Sequence, residues 1–100
     1  MTVESSAAPR LCAVRFLVEA DAGPGLLPRL LQPLAKRDLI PDRMWSHRHG
    51  DTLQVGLNLD AVPEEVVHVI EGNLRQIVGV FSVTRTQSDL LRADLLRAVA

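Results

Sequence analysis

Tyrosine is absent, and Trp45, Phe16 and Phe81 make up the whole aromatic complement, so the 47% hydrophobic share has to be aliphatic. A core made from it is filled by Leu and Val side chains rather than by stacked rings. The same scarcity argues against recognition of single-stranded RNA, which needs aromatic platforms on central strands. The outward positions there are Arg15, Leu17, Gln54, Gly56 and Asn58. Cysteine occurs once, at Cys12, which rules out an intramolecular disulfide and the Cys-x-x-Cys turn of a copper chaperone. Alternating with Val14 and Phe16, Cys12 reads as a core thiol and not as a nucleophile. An excess of either charge is missing too, with 11 basic and 12 acidic residues. That balance removes the electrostatic footprint of a protein that binds duplex nucleic acid or an anionic membrane. No long apolar run and no signal-peptide core follows the polar start Met1 to Ser6, so the expected compartment is the cytoplasm.

What is present is punctuated periodicity within 100 residues, the size of one domain. From Leu11 to Ala20 apolar and polar positions alternate, with Cys12, Val14, Phe16, Val18 and Ala20 on one face of a strand. Asp21 to Gly25 is a breaker cluster where that strand turns into a helix. Leu26, Leu27, Leu30, Leu31 and Leu34 then recur at helical spacing, with Lys36 and Arg37 at the end that favours cations. Pro28 is tolerated early in this helix. Pro33 removes the amide that would bond the Arg29 carbonyl, which predicts a kink or a short helix.

Asp42 to His49, Gly50-Asp51 and Thr52 to Leu59 read as a hairpin, with Leu53, Val55, Leu57 and Leu59 facing inward. Asp60 is the expected N-cap of a second helix, with Pro63, Glu64 and Glu65 in its first turn and Val66, Val67, Ile70 and Leu74 on its buried stripe. Ile77 to Thr86 is the last predicted strand. Ser88 and Asp89 would cap an amphipathic tail helix carrying Leu90, Leu91, Leu95 and Leu96. The expected organisation is a flexible N-terminus over 1–10, a domain over 11–86 and a helix or tail over 87–100. Strand, helix, strand, strand, helix, strand, with right-handed crossovers, predicts a ferredoxin-like α+β sandwich: a four-stranded antiparallel sheet with two helices on one face. A domain this small has a high surface-to-volume ratio, which dimerisation relieves.

Two further groups are candidates for chemistry. His47 and His49 share one face of a strand, a spacing that can chelate a transition metal, but the set is incomplete and a solvated hairpin tip is the expected reading. Trp45 beside Met44 suits a ligand wall or a partner anchor as well as a core position. No convergent acid, base and nucleophile is apparent, so neither an enzyme nor a metal or cofactor is expected.

The run Pro24-Gly25-Leu26-Leu27-Pro28-Arg29-Leu30, followed by Leu34-Ala35-Lys36-Arg37 and Asp42, resembles the first half of an ACT domain. Leu74-x-x-Ile77-x-Gly79-Val80 with Ser82-Val83 resembles that family's second helix-to-strand junction. The likeness spans Leu11 to Thr86, and among ACT proteins it is nearest to the single-domain small regulatory subunits of acetolactate synthase (acetohydroxyacid synthase). It implies a non-catalytic homodimer that binds a small, branched-chain amino acid between subunits and regulates a separate catalytic subunit. A ligand-free oligomerisation or interaction module is the alternative. The resemblance places the ligand at the first strand-to-helix turn, beside Gly23, where Gly25, Leu26 and Leu27 would offer amides at the positive end of a helix to a carboxylate. Asp21 would take the ammonium, and Asp42 or Met44 would face the site from the neighbouring subunit.

Overall fold

The computed structural model describes residues 10–89. The alternating segment at the start forms β1 (Leu11–Asp21), followed by α1 (Leu26–Ala35), β2 (Arg43–His49), β3 (Thr52–Pro63), α2 (Glu64–Arg75) and β4 (Val80–Asp89). The strands lie in the order β2-β3-β1-β4, every neighbour antiparallel. This is the ferredoxin-like sandwich that the element order predicts.

The inward row of β1 (Cys12, Val14, Phe16, Val18, Ala20) and that of β3 (Leu53, Val55, Leu57, Leu59) are buried together with Leu26, Leu30, Pro33 and Leu34 of α1 and Val67, Ile70 and Leu74 of α2. Each fully buried aliphatic side chain contributes roughly 1.5–3 kcal/mol. The helix layer is held on the sheet by this aliphatic core, with Phe16 its one aromatic. On the other sheet face, Arg15, Leu17 and Glu19 of β1 run beside Asn58, Gly56 and Gln54 of β3, without a covering layer among the described residues.

Pro33 lies inside α1 and is buried, and the helix ends two residues later. The short helix predicted from the missing amide is what forms. Its end is closed by paired bonds, Leu39 N to Leu34 O at 2.9 Å and Asp38 N to Ala35 O at 3.1 Å, around Asp38 at φ 56°. That is a Schellman turn with aspartate in the left-handed position usually held by glycine. Lys36 and Arg37 therefore fall in the turn rather than in the helix. At the hairpin, Gly50 has φ 58° and Asp51 a negative φ, the sign pattern of a type II′ turn.

Three expectations change. Strand β3 continues past Leu59 to Pro63, because a bulge opposite Cys12 and Val14 inserts one residue and lets Val62 return to the core. Asp60 is thus an exposed strand residue whose amide bonds the Asp42 Oδ2 at 2.7 Å, and Pro63 takes the N-cap position of α2. The last strand starts at Val80, since Ile77 to Gly79 form the turn that leaves α2, with Gly79 at φ 98°. It runs to Asp89, so Ser88 and Asp89 pair with Ala13 and Cys12 as strand residues instead of capping a helix. The tail helix expected after them, and all but the last residue of the flexible N-terminus, lie outside the described residues.

Candidate functional site

The turn between β1 and α1 is held from two sides. Asp21 N donates to Gly79 O at 2.8 Å, which ties the end of β1 to the α2–β4 turn. Ala22 N donates to Asp51 O at 2.9 Å, which ties it to the hairpin tip. Three loops meet there, and between two of them opens a recess of about 310 Å³ lined by Asp21, Gly23, Gly25, Leu26, Arg29 and Val78, with Pro24 and Gly79 completing it.

Its walls differ in chemistry. Asp21 is exposed beside Gly79, where an added Cβ would stand 4.0 Å from the Asp21 Oδ2. On the opposite wall the Arg29 guanidinium lies over Gly25, at 3.3 Å from where a Cβ would be. Helix α1 has no side-chain N-cap and no acidic residue in its first turn. The amides of Gly25 and Leu27 meet no backbone acceptor among the described residues, whereas Leu26 N is taken by Gly23 O at 3.2 Å. Leu26 therefore does not offer the free amide expected of it, because the turn closes on its own glycine. Orphan amides, the positive end of a helix and a guanidinium are chemistry that suits a carboxylate, and the Asp21 carboxylate across from them is chemistry that suits an ammonium.

Of the seven ligand residues expected from sequence, the structure gathers Asp21, Gly23, Gly25 and Leu26 at this recess, with Leu27 adjoining in the first turn of α1. Asp42 and Met44 are elsewhere. In register, His49 lies beside Thr52, and Thr52 beside Asp21, so Met44 is five residues down its strand from the turn, about 17 Å at strand rise. Within one chain those two positions take no part in the recess. Arg29, Val78 and Gly79 were missed. Arg29 had a readable signal, since four residues from Gly25 is one helical turn along the same face. Val78 and Gly79 had none, because only the tertiary fold brings the second crossover turn beside the first.

Strand β2 forms the sheet edge, and all seven of its residues are exposed. Trp45 lies on the open sheet face over Gly56, where an added Cβ would collide with the indole. Met44, Ser46 and Arg48 point to the helix side, yet no helix among the described residues covers them. The rings of His47 and His49 are 4.2 Å apart, and no group of three or more metal-ligating side chains occurs among the described residues. No helix among those residues is long and apolar enough to cross a membrane.

The fold has known counterparts. The ACT domain from the GTP pyrophosphokinase of Chlorobium tepidum superposes with a TM-score of 0.62 at 16% identity, covering 79% of this chain and 100% of that one. A homoserine dehydrogenase from Thiobacillus denitrificans gives 0.67 at 18% identity, over 87% of this chain but 19% of its own length. An uncharacterised protein of Thermotoga maritima gives 0.55 at 13% identity, covering 84% and 100% of the two chains. At these identities the likeness speaks for the fold alone, and neither of the two with a named activity is an acetolactate synthase subunit. No curated protein matches the sequence. A family model described as an ACT-like domain matches residues 6–92. Sheet order, turn geometry and this match agree, and the chain belongs to the ACT-like domain family of regulatory, non-catalytic modules.

Proposed function

We propose that this chain is a cytoplasmic regulatory module that acts by association, two copies pairing edge to edge through β2. The observation that carries the reading is β2 itself: seven residues exposed on both faces, with Met44 and Trp45 at 37% and 41% exposure and no helix over the inner row among the described residues. An uncovered edge strand is a template for another strand, and a second copy would bring its own helices to the uncovered row. Light scattering on the wild-type protein is expected to give the mass of a dimer, and a Met44→Lys, Trp45→Lys variant that of a monomer. A monomeric wild type, or a variant that stays dimeric, would sink the β2 interface.

A second reading is favoured by Asp21 and Arg29 standing on opposite walls of the recess: the module senses a free amino acid. Association and sensing are geometrically linked. Antiparallel pairing of β2 centred on Ser46 sets Asp42 and Met44 of one copy against Gly50 and Arg48 of the other, toward the end of the sheet where the turn sits. Val78 and Leu26 would meet an aliphatic side chain, which fits the branched-chain effector that the resemblance to acetolactate synthase subunits implies, with a separate catalytic subunit as the target. Thermal unfolding against each of the twenty amino acids tests it. A selective rise in Tm that Asp21→Asn removes supports sensing; no rise with any of them leaves association as the whole function.

A further inference from the structure

A cavity larger than the recess at the turn lies apart from the predicted ligand residues. It is a groove of about 500 Å³ between the ends of α1 and α2, lined by Arg29, Gln32 and Pro33 of α1 and Lys36 just after it, by Asn73 of α2 and Gln76 just after it, and by Ile77 and Val78. It adjoins the recess at the turn, with which it shares Arg29 and Val78. In a chain whose acidic residues outnumber its basic ones, this lining holds two cations and no carboxylate. Neither Arg29 nor Lys36 makes an ion pair or side-chain hydrogen bond among the described residues, whereas Arg75 and Arg85 nearby are both engaged by Glu71.

We propose that this groove binds a small phosphate monoester. Arg29 lies on α1 and Lys36 caps its end seven residues on, about 10 Å along the axis, and both side chains are long enough to converge on a single group between them. A dianionic phosphoryl group with three acceptor oxygens matches two cations and the carboxamide donors of Gln32, Asn73 and Gln76. A monocarboxylate would satisfy one cation and leave the other without a partner. The volume exceeds what inorganic phosphate fills, and Pro33, Ile77 and the 82%-exposed Val78 form an apolar wall for the carbon body of an ester.

The test is amide-resolved NMR titration with phenyl phosphate, with benzoate and inorganic phosphate as comparators. Phenyl phosphate is expected to shift the amides of Arg29 to Lys36 and Asn73 to Val78 and to bind more tightly than either comparator. Lys36→Gln should weaken it about tenfold, the loss of one charge-assisted bond. Gln76→Glu, which places a carboxylate in the groove, should abolish the shifts while the rest of the spectrum shows a folded protein. Lys36 and Gln76 lie outside the recess at the turn, so binding that survives Asp21→Asn but fails in these two variants belongs to the groove and not to amino-acid sensing. Shifts centred elsewhere, such as at Arg15 and Arg43, equal affinity for benzoate, or indifference to both variants would overturn the proposal.

Discussion

Glu71 joins α2 to the last strand through two guanidinium groups. Its Oε2 accepts from Arg75 at 2.8 Å and its Oε1 lies 3.2 Å from Arg85, while Arg75 also donates to the Val83 carbonyl at 2.7 Å. The Arg75 hydrogen bond, aided by the charges of Arg85 and His68 and opposed by desolvation, holds the Glu71 carboxyl below the ordinary carboxylate value. A group whose pKa is lower in the folded state binds its proton more weakly there. Its contribution is therefore complete above the unfolded value and fades as pH falls through the folded one. Glu71→Gln is expected to cost about 1 kcal/mol at neutral pH, a partly exposed network being worth little more. Urea titrations of both proteins should converge in acid, and a constant gap across that range would place the cost in packing instead. Gly56 offers a second test at this scale. With an added Cβ in the space of the indole, Gly56→Ala has to lift Trp45 from the sheet. Trp45 is the only tryptophan, so a red-shifted emission in the folded variant reports the displacement directly.

At the scale of the element, the end of α1 sets a local conflict that a single substitution can resolve. Asp38 occupies the left-handed position of the Schellman turn at φ 56°, where an L-residue is strained and an acidic one faces the negative end of the helix. Asp38→Gly is expected to raise stability by about 0.5–1 kcal/mol, read as a higher urea midpoint at unchanged slope. The sequence offered no glycine to mark this turn, so although Pro33 pointed to a short helix, Lys36 and Arg37 read as its last turn when they lie just beyond it. The central strands were legible for a different reason: one buried face and one open face force strict alternation in β1 and in β3 as far as Leu59. Legibility failed where that alternation breaks. The bulge at Asp60 and Ala61 shifts the inward parity from Leu59 to Val62, which makes the end of β3 look like a helix start. Strand β4 was misplaced in the same way, with a second register shift between Glu19 and Ala20 that adds Phe81 as the extra residue. The recess was half legible, through its glycines and Asp21, because those belong to one contiguous turn. Val78 and Gly79 enter it only through the backbone bond from Asp21 to Gly79, which no local pattern encodes.

At the scale of the whole molecule, the core and the edge make different demands. The buried side chains come from β1, β3, α1, α2 and one residue of β4, and β2 adds none, so β2 is held by its ladder to β3 and by Trp45 lying over Gly56. A seven-residue strand without a buried side chain is the part of such a fold with least to lose on opening. Pairing with a second copy would close its open edge and cover Met44 and Trp45, which links folding to concentration. If the dimer is the folded unit, each tenfold rise in protein concentration adds about 1.4 kcal/mol per dimer. For two chains of this length, with the usual unfolding entropy per residue, that raises Tm by about 3 °C. The Met44→Lys, Trp45→Lys variant removes the apolar cover and, in the register centred on Ser46, sets a cation at position 44 against Arg48 of the other copy, so its Tm should be independent of concentration. The same flat response in the wild type would mean that the edge contributes nothing to folding, and that β2 waits for a partner other than its own copy.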